Sequence, residues 1–460
     1  MIENLQIHGK WWIQSFENEN ISGVLTFNQF TGGILTLDGM FNDRFILEDG
    51  SSDFSEIFGD SNEGEKLTLS GCRFVSQELF STNSRISKFN IDNIFIGEHI
   101  LIDKTCLFNN LSIRFSFLEE WIDYNSIYLE KILNEEFILK YKSYNISISP
   151  NDIINNFAIN IVKDIPEYSI KLNEFSMKQK AYIKISSNTE RTFKQFREII
   201  QKLQSFLSFS TSIPIFPISI IGDVKRNENF KEIKIYYKLD YYRAIPKNSL
   251  ILNTFLFSYG DIKDRIDSYL TNWFNKINSL LPSFDLYLSI IFNPKMHLNQ
   301  QFLDIIIALE NFHNRVFNSK YFNEELKKSI IKKIDAECLI NIPSDIKKKI
   351  IQKLQYINEF SLRSRLKDLF DRFNYCEFTF FRNEKEFIEK IVAIRNFLIH
   401  YDKKLKSKIP DDEEFFFIIQ KLKVLLEVCL LEEIGFSKEE INRFILRNRW
   451  RNYIAKKLKI

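Results

Sequence analysis

The sequence predicts an α+β protein: a strand-rich N-terminal domain, sandwich or barrel-like with a few helices, over residues 1–290, then an all-α bundle over 291–460. Three observations carry this division. Short alternating apolar runs punctuated by glycine and asparagine fill roughly the first 290 residues, the character changes after Pro282, and from Gln300 onward the apolar residues recur at the 3.6-residue spacing of helices.

In the first part, Gly23 to Leu37 predicts a hairpin around Thr31-Gly32-Gly33, with Val24, Leu25 and Phe27 answered by Ile34, Leu35 and Leu37. Lys66–Phe74 and Leu111–Phe117 continue the strand pattern, Arg191–Phe209 is an amphipathic helix, and strands follow near Ile213–Ile221 and Lys231–Tyr237. Trp11, Trp12 and Phe16 could form a recognition surface, but aromatics at a strand's start more often pack into a core, and that reading is preferred.

In the second part, Gln300–Phe317 places Phe302, Leu303, Ile306, Leu309, Phe312 and Val316 inward, with Glu310 and His313 on or near that face. Further helices are expected from Asp345 to Phe360, with Ser344 as N-cap, and from Ser361 to Phe373, where Arg363 and Arg365 are possible groove cations but surface salt-bridging is the commoner role. Phe387, Ile391, Ile394 and Leu398 define a helix over Glu384–Tyr401. Pro410-Asp411-Asp412-Glu413-Glu414 sets carboxylates at the positive end of a helix that stops at Gly435. Ser437-Lys438-Glu439-Glu440 is a capping box for the last helix.

Composition narrows the function. With 45% hydrophobic and 27% charged residues in 460, the chain has ordinary globular values, and a net charge of +3 means that any nucleic-acid surface must be local. The five cysteines lie at 72, 106, 338, 376 and 429, too far apart for metal-ligand pairs and odd in number, which favours reduced thiols in a cytoplasmic protein. No His-Glu-x-x-His, Walker loop or Gly-x-Ser-x-Gly occurs, so neither a metal nor any other cofactor is expected. No basic region followed by an apolar stretch opens the sequence, so secretion is not expected. The long uncharged stretch Gln204–Gly222 carries Pro214 and Pro217, so a helix end followed by a buried strand is expected there instead of a membrane span.

The chemistry concentrates in Arg395-Asn396-Phe397-Leu398-Ile399-His400. At about 100° per residue Asn396 and His400 share a helix face, about 40° apart, whereas Arg395 lies about 140° from His400 and must reach around on its stem. An arginine fork binds phosphate and histidine exchanges protons near neutral pH, which suits RNA, whose 2′-hydroxyl is its own nucleophile. With 19 arginines and 5 histidines the bare spacing arises by chance about 0.2 times, so capping or core contact is the competing role.

Arg395-Asn396-x-x-x-His400 late in a helical region resembles the Arg-x4-6-His signature of the HEPN superfamily. Gly9-Lys10-Trp11-Trp12, Ile21–Leu25, Gly33–Gly39 and Ala308–Arg315 resemble segments of ApeA-type anti-phage HEPN proteins. The resemblance implies a HEPN-type helical bundle and a bacterial defence ribonuclease that halts growth of an infected cell, with Arg395 and His400 catalytic and Asn396 in support. It also implies a sensing or regulatory N-terminal domain and a possible phage-derived trigger. One helix supplies one histidine, so a homodimer or higher homo-oligomer through the helical domain would complete the acid–base pair. Glu310 could orient Arg395, with His313 beside it as a second supporting residue.

The RNA substrate, with tRNA as a candidate, would be held by Lys403 and Lys404 after His400 and by Arg447, Arg449 and Arg451 in Ile441–Ile460, a stretch with seven basic residues, no acid and interleaved aromatics. The alternatives are a non-catalytic scaffold that binds RNA or a partner by occupancy, and a phosphate-ester or nucleotide-transferring enzyme using Glu310 and His313.

Overall fold

In the computed structural model the described residues are 4–14, 16–41, 53–81, 84–101, 107–122, 127–131, 137–141, 146–148, 157–164, 167–226, 229–239, 255–317, 320–373 and 383–448. The chain divides into two compact units, Met1–Phe274 and Asn275–Ile460.

The first unit begins with a closed barrel of six antiparallel strands, β1 (Leu5–Ile13), β2 (Ile21–Asn28), β3 (Gly32–Leu37), β4 (Phe54–Ser61), β5 (Lys66–Ser81) and β6 (Ser84–Ile96). Closure follows from the pairings β1–β2, β2–β3, β3–β6, β6–β5, β5–β4 and β4–β1, which leave no free edge. The expected hairpin is β2–β3, with Leu25 opposite Leu35. Its inward residues Leu25, Phe27, Leu35 and Leu37 join Trp11, Ile57, Leu67, Leu69 and Phe89 in the barrel core, while Ile34 points outward. Trp11 and Trp12 are buried as preferred, and Phe16 is exposed.

The remaining strands are β7 (Leu107–Phe115), then after the short helix α1 (Leu118–Ile122) β8 (Ile127–Lys131), β9 (Phe137–Tyr141), β10 (Ile146–Ile148), β11 (Phe157–Lys163), β12 (Glu167–Lys171), β13 (Glu174–Lys178), β14 (Ala181–Thr192), β15 (Pro217–Arg226) and β16 (Asn229–Tyr237). Six of them run in the order β10-β11-β14-β7-β15-β16, joined to the barrel where β16 pairs with β6. The amphipathic helix α2 (Phe193–Thr211) packs on β14 and β7, and Thr192 and Gln195 form its capping box. The uncharged stretch is the end of α2 followed by β15, as expected, and no helix among the described residues is long and apolar enough to cross a membrane.

The last part of the expected strand-rich half is helical. α3 (Tyr259–Ile262) and α4 (Ile266–Phe292) precede the predicted change of character, and α4 runs straight through Pro282. Proline removes one helical hydrogen bond, but burial of Ile277, Leu280, Phe284 and Tyr287 on either side holds the helix. The division between units falls inside α4, upstream of residue 290.

The second unit continues with α5 (Leu298–Phe317), α6 (Glu324–Lys333), α7 (Ser344–Leu354), α8 (Leu362–Arg372), α9 (Glu384–His400), α10 (Asp412–Ile434) and α11 (Lys438–Arg447). α10 is its central rod, buried on nearly every side, with α5 packed along it. Tyr287 donates to Glu427 of α10 at 2.7 Å and Ser283 to the Ala308 carbonyl at 2.9 Å, so α4, α5 and α10 share polar ties inside an apolar core. Asp411, Gly435 and the Ser437–Glu440 box cap α10 and α11 as the sequence predicts. Ser344 is not an N-cap, because Pro343 holds that position and presets the backbone for α7. The same helix ends at Leu354, short of Phe360, where Asn358 takes up the Phe322 backbone instead. The last helix stops at Arg447 because Asn448 is extended.

Candidate active site

Helix α9 carries the site because one face is buried, through Phe387, Ile388, Ile391, Ala393 and Ile394, and because α8 packs against it. Lys390 pairs with Glu414, tying it to α10. It ends where Tyr401 turns left-handed (φ 49°), donates its N–H to the Phe397 carbonyl at 2.8 Å and lays its ring 5.4 Å from that of Phe397. His400 is therefore the last helical residue and is exposed.

Arg395 is half-buried, and its guanidinium donates from Nη1 to Oδ1 of Asn396, the residue one turn before His400, at 3.3 Å. Burial raises the pKa of the Glu310 carboxyl, and the positive charges of Arg395 and Arg365 oppose the rise, so Glu310 sits in the fields of both arginines. No hydrogen bond joins Glu310 to either among the described residues, and the coupling is through space.

His313, one turn beyond Glu310, is fully buried. Its ring meets Asp368 at 2.8 Å, Arg365 at 3.4 Å and the rings of Phe317 and Phe360 at 5.5 and 5.6 Å. Its enclosed ring braces α5 against α8 and leaves no face for a substrate.

Sequence reasoning underrated Arg365. It is buried, with Nε donating to the Phe360 carbonyl at 2.9 Å, while Arg363 is the exposed member, paired with Glu389. The missed signal is the spacing in α8: Arg365 shares the buried side with Leu366 and Leu369, and Asp368 and Arg372 stand one turn apart.

Lys403 and Lys404 follow in a short 3-10 turn capped by Asp402, both exposed and next to His400 in the chain. Arg447 closes α11, and Arg449 and Arg451 lie outside the described residues. Among the described residues no cluster of His, Cys, Asp or Glu could hold a metal ion.

Two family models match the chain. ApeA N-terminal domain 1 matches residues 6–273, and Apea-like HEPN matches residues 303–440, a span that holds Glu310, His313, Arg395, Asn396, His400, Lys403 and Lys404. No curated protein and no solved structure matches. The N-terminal match covers more than half of the 460 residues and the helical match includes the Arg-Asn-x-x-x-His helix, so the chain belongs to the family of ApeA-like HEPN proteins.

Proposed function

We propose that this chain is a metal-independent endoribonuclease of anti-phage defence that acts in the cytoplasm, as a dimer through its helical unit, on RNA such as tRNA. The observation that carries the reading is the end of α9, where Arg395 is held against Asn396 and His400 stands exposed one turn on.

In this reaction the 2′-oxygen of RNA forms a bond to phosphorus while the bond to the 5′-oxygen breaks. A neutral histidine takes the 2′-hydroxyl proton, an acid protonates the leaving 5′-oxygen, and the guanidinium neutralises charge growing on the phosphoryl oxygens. His400 of one copy serves one transfer and His400 of a second copy the other. Asn396 keeps the Arg395 fork near the histidine. The products end in 2′,3′-cyclic phosphate and 5′-hydroxyl. The N-terminal unit, with its closed barrel, is the part that senses infection or restrains the helical unit, and a phage-derived molecule is the trigger.

The test is direct. Purified wild type and His400→Ala are incubated with total RNA plus EDTA and the ends are mapped. Wild type gives cyclic-phosphate ends and the variant none; a His400→Ala protein that still cuts RNA and still stops growth overturns the assignment.

A further inference from the structure

Helices α6 and α7 are two copies of one pattern. Aligning Glu324–Ile334 with Ser344–Leu354 pairs Lys327 with Lys347, Lys328 with Lys348, Ile330 with Ile350, Ile331 with Ile351 and Lys333 with Lys353, five identities in eleven positions. Exposure repeats with it: the first lysine of each copy and the paired isoleucines Ile330, Ile331, Ile350 and Ile351 are half-buried, while Lys328, Lys332 and Lys333 in α6, and Lys348, Lys349 and Lys353 in α7, are exposed.

Both copies rise from one fixed base. Asn358 is buried and accepts from the Phe322 N–H at 2.8 Å while donating to its carbonyl at 2.5 Å, and Lys320 and Glu359 form a β-bridge beside it. Lys347 pairs with Asp335 at 2.8 Å, linking the start of α7 to the turn after α6. The next residue along, Phe360, touches His313 and takes the hydrogen bond of Arg365, so this base is continuous with the His313–Arg365 network between α5 and α8.

Glu324 and Asp335 are engaged by Lys320 and by the inner lysines Lys327 and Lys347, whereas none of the six outer lysines has an ion pair or side-chain hydrogen bond among the described residues. Lys328 and Lys332, and Lys349 and Lys353, stand one helical turn apart, an arrangement of like charges that repels. An anionic chain laid along both helices removes that repulsion.

We propose that the outer faces of α6 and α7 form a duplicated phosphate-binding surface that holds the sugar–phosphate backbone of the RNA substrate. This rests on the nuclease reading for its ligand. A second copy of the chain brings the same sign of charge to this face and is repelled by it. An anionic membrane fits less well than RNA, because the exposed apolar residues of the first turns, Leu326 and Ile346, stand beside Glu325 and Asp345, while Ile330, Ile331, Ile350 and Ile351 are half-buried.

The test uses the full chain carrying His400→Ala and a fluorescein-labelled unstructured RNA, with anisotropy read against salt. Replacing all six lysines by glutamine lowers affinity about tenfold or more at physiological salt and makes the log–log salt slope shallower by up to about 4, from six released counterions at about 0.7 each. A triple replacement of Lys348, Lys349 and Lys353 gives about half that change in slope, and an equal replacement of Lys178, Lys194 and Lys231 in the first unit gives none. Circular dichroism checks that helix content is kept. Unchanged RNA affinity overturns the proposal, as does a loss matched by the control triple. So does loss of sedimentation with phosphatidylglycerol vesicles at unchanged RNA affinity, which assigns the surface to membranes. Binding does not need cleavage: if wild type leaves RNA intact yet the six-fold variant loses it, the surface stands and the nuclease reading falls.

Discussion

His313 Nε2 lies 2.8 Å from Asp368 Oδ2, and the other ring nitrogen faces Arg365 Nη1 at 3.4 Å. A guanidinium can only donate, so Nδ1 accepts and the neutral ring carries its proton on Nε2, toward Asp368. The same carboxylate oxygen accepts from Arg372 Nε at 2.9 Å, and Arg372 covers the ring of Phe317 at 3.9 Å. The histidine therefore belongs to a satisfied, enclosed network between α5 and α8. Its chemistry is that of a strut, and its neutral form is the one that fits.

A pH dependence of stability follows. Burial pushes the His313 pKa below its ordinary 6.5, with Asp368 opposing and Arg365 and Arg372 reinforcing. The unfolded chain thus binds the proton more readily. Stability is full above about pH 6.5 and is lost as pH falls below it, by at most about 1.4 kcal/mol per pH unit. Urea unfolding of the wild type at about pH 7.5 and about pH 5 should show this component, and His313→Gln, which cannot titrate, should lack it. Equal pH dependence in both proteins refutes the account.

Glu310 separates function from stability. Its half-buried charge is costly in the fold, and burial raises its pKa, yet the positive charges of Arg395 and Arg365 favour its ionised form. Glu310→Gln keeps the shape and removes the charge. Cleavage should fall about tenfold in kcat with KM little changed, as for a group that positions another, while the melting temperature holds or rises. A variant with full activity shows that Arg395 is held by Asn396 alone.

Much of this was legible in the sequence, and the limits have physical causes. The β2–β3 hairpin and helices α9, α10 and α11 are local: each is written in its own periodicity, turn residues and caps. Barrel closure is not local, because β1–β4 and β3–β6 pairing depends on partners that no short window contains. α4 was hidden by Pro282, a helix breaker overruled by burial on both sides. The Arg395–Asn396–His400 set lies within one helix and could be read, whereas the link of His313 to Asp368 spans 55 residues and could not.

The barrel offers a separate test. Trp11 is fully buried opposite Gly59, and a Cβ at Gly59 would lie 2.3 Å from the Trp11 ring. The indole fills the space that the missing side chain leaves. Gly59→Ala forces the ring or the strand to move, at a cost of about 1–3 kcal/mol. A lowered urea midpoint with a shifted tryptophan emission checks this; an unchanged midpoint means the barrel yields at no cost.

Lys421 presents the opposite case, a residue whose removal should strengthen the fold. It is only 2% exposed in α10, 5.5 Å from the Phe387 ring of α9, and burial lowers its pKa from 10.5 to about 8. Below that pH the amine is charged in both states and the fold bears the whole desolvation penalty. Between about pH 8 and 10.5 the unfolded chain holds more protons, so wild-type stability rises with pH. Lys421→Met retains the volume without the charge and should gain up to about 3 kcal/mol near pH 7. The gap between the two proteins should narrow toward about pH 10 in paired urea titrations. A constant gap across that range would show that the lysine's charge is already balanced by its neighbours.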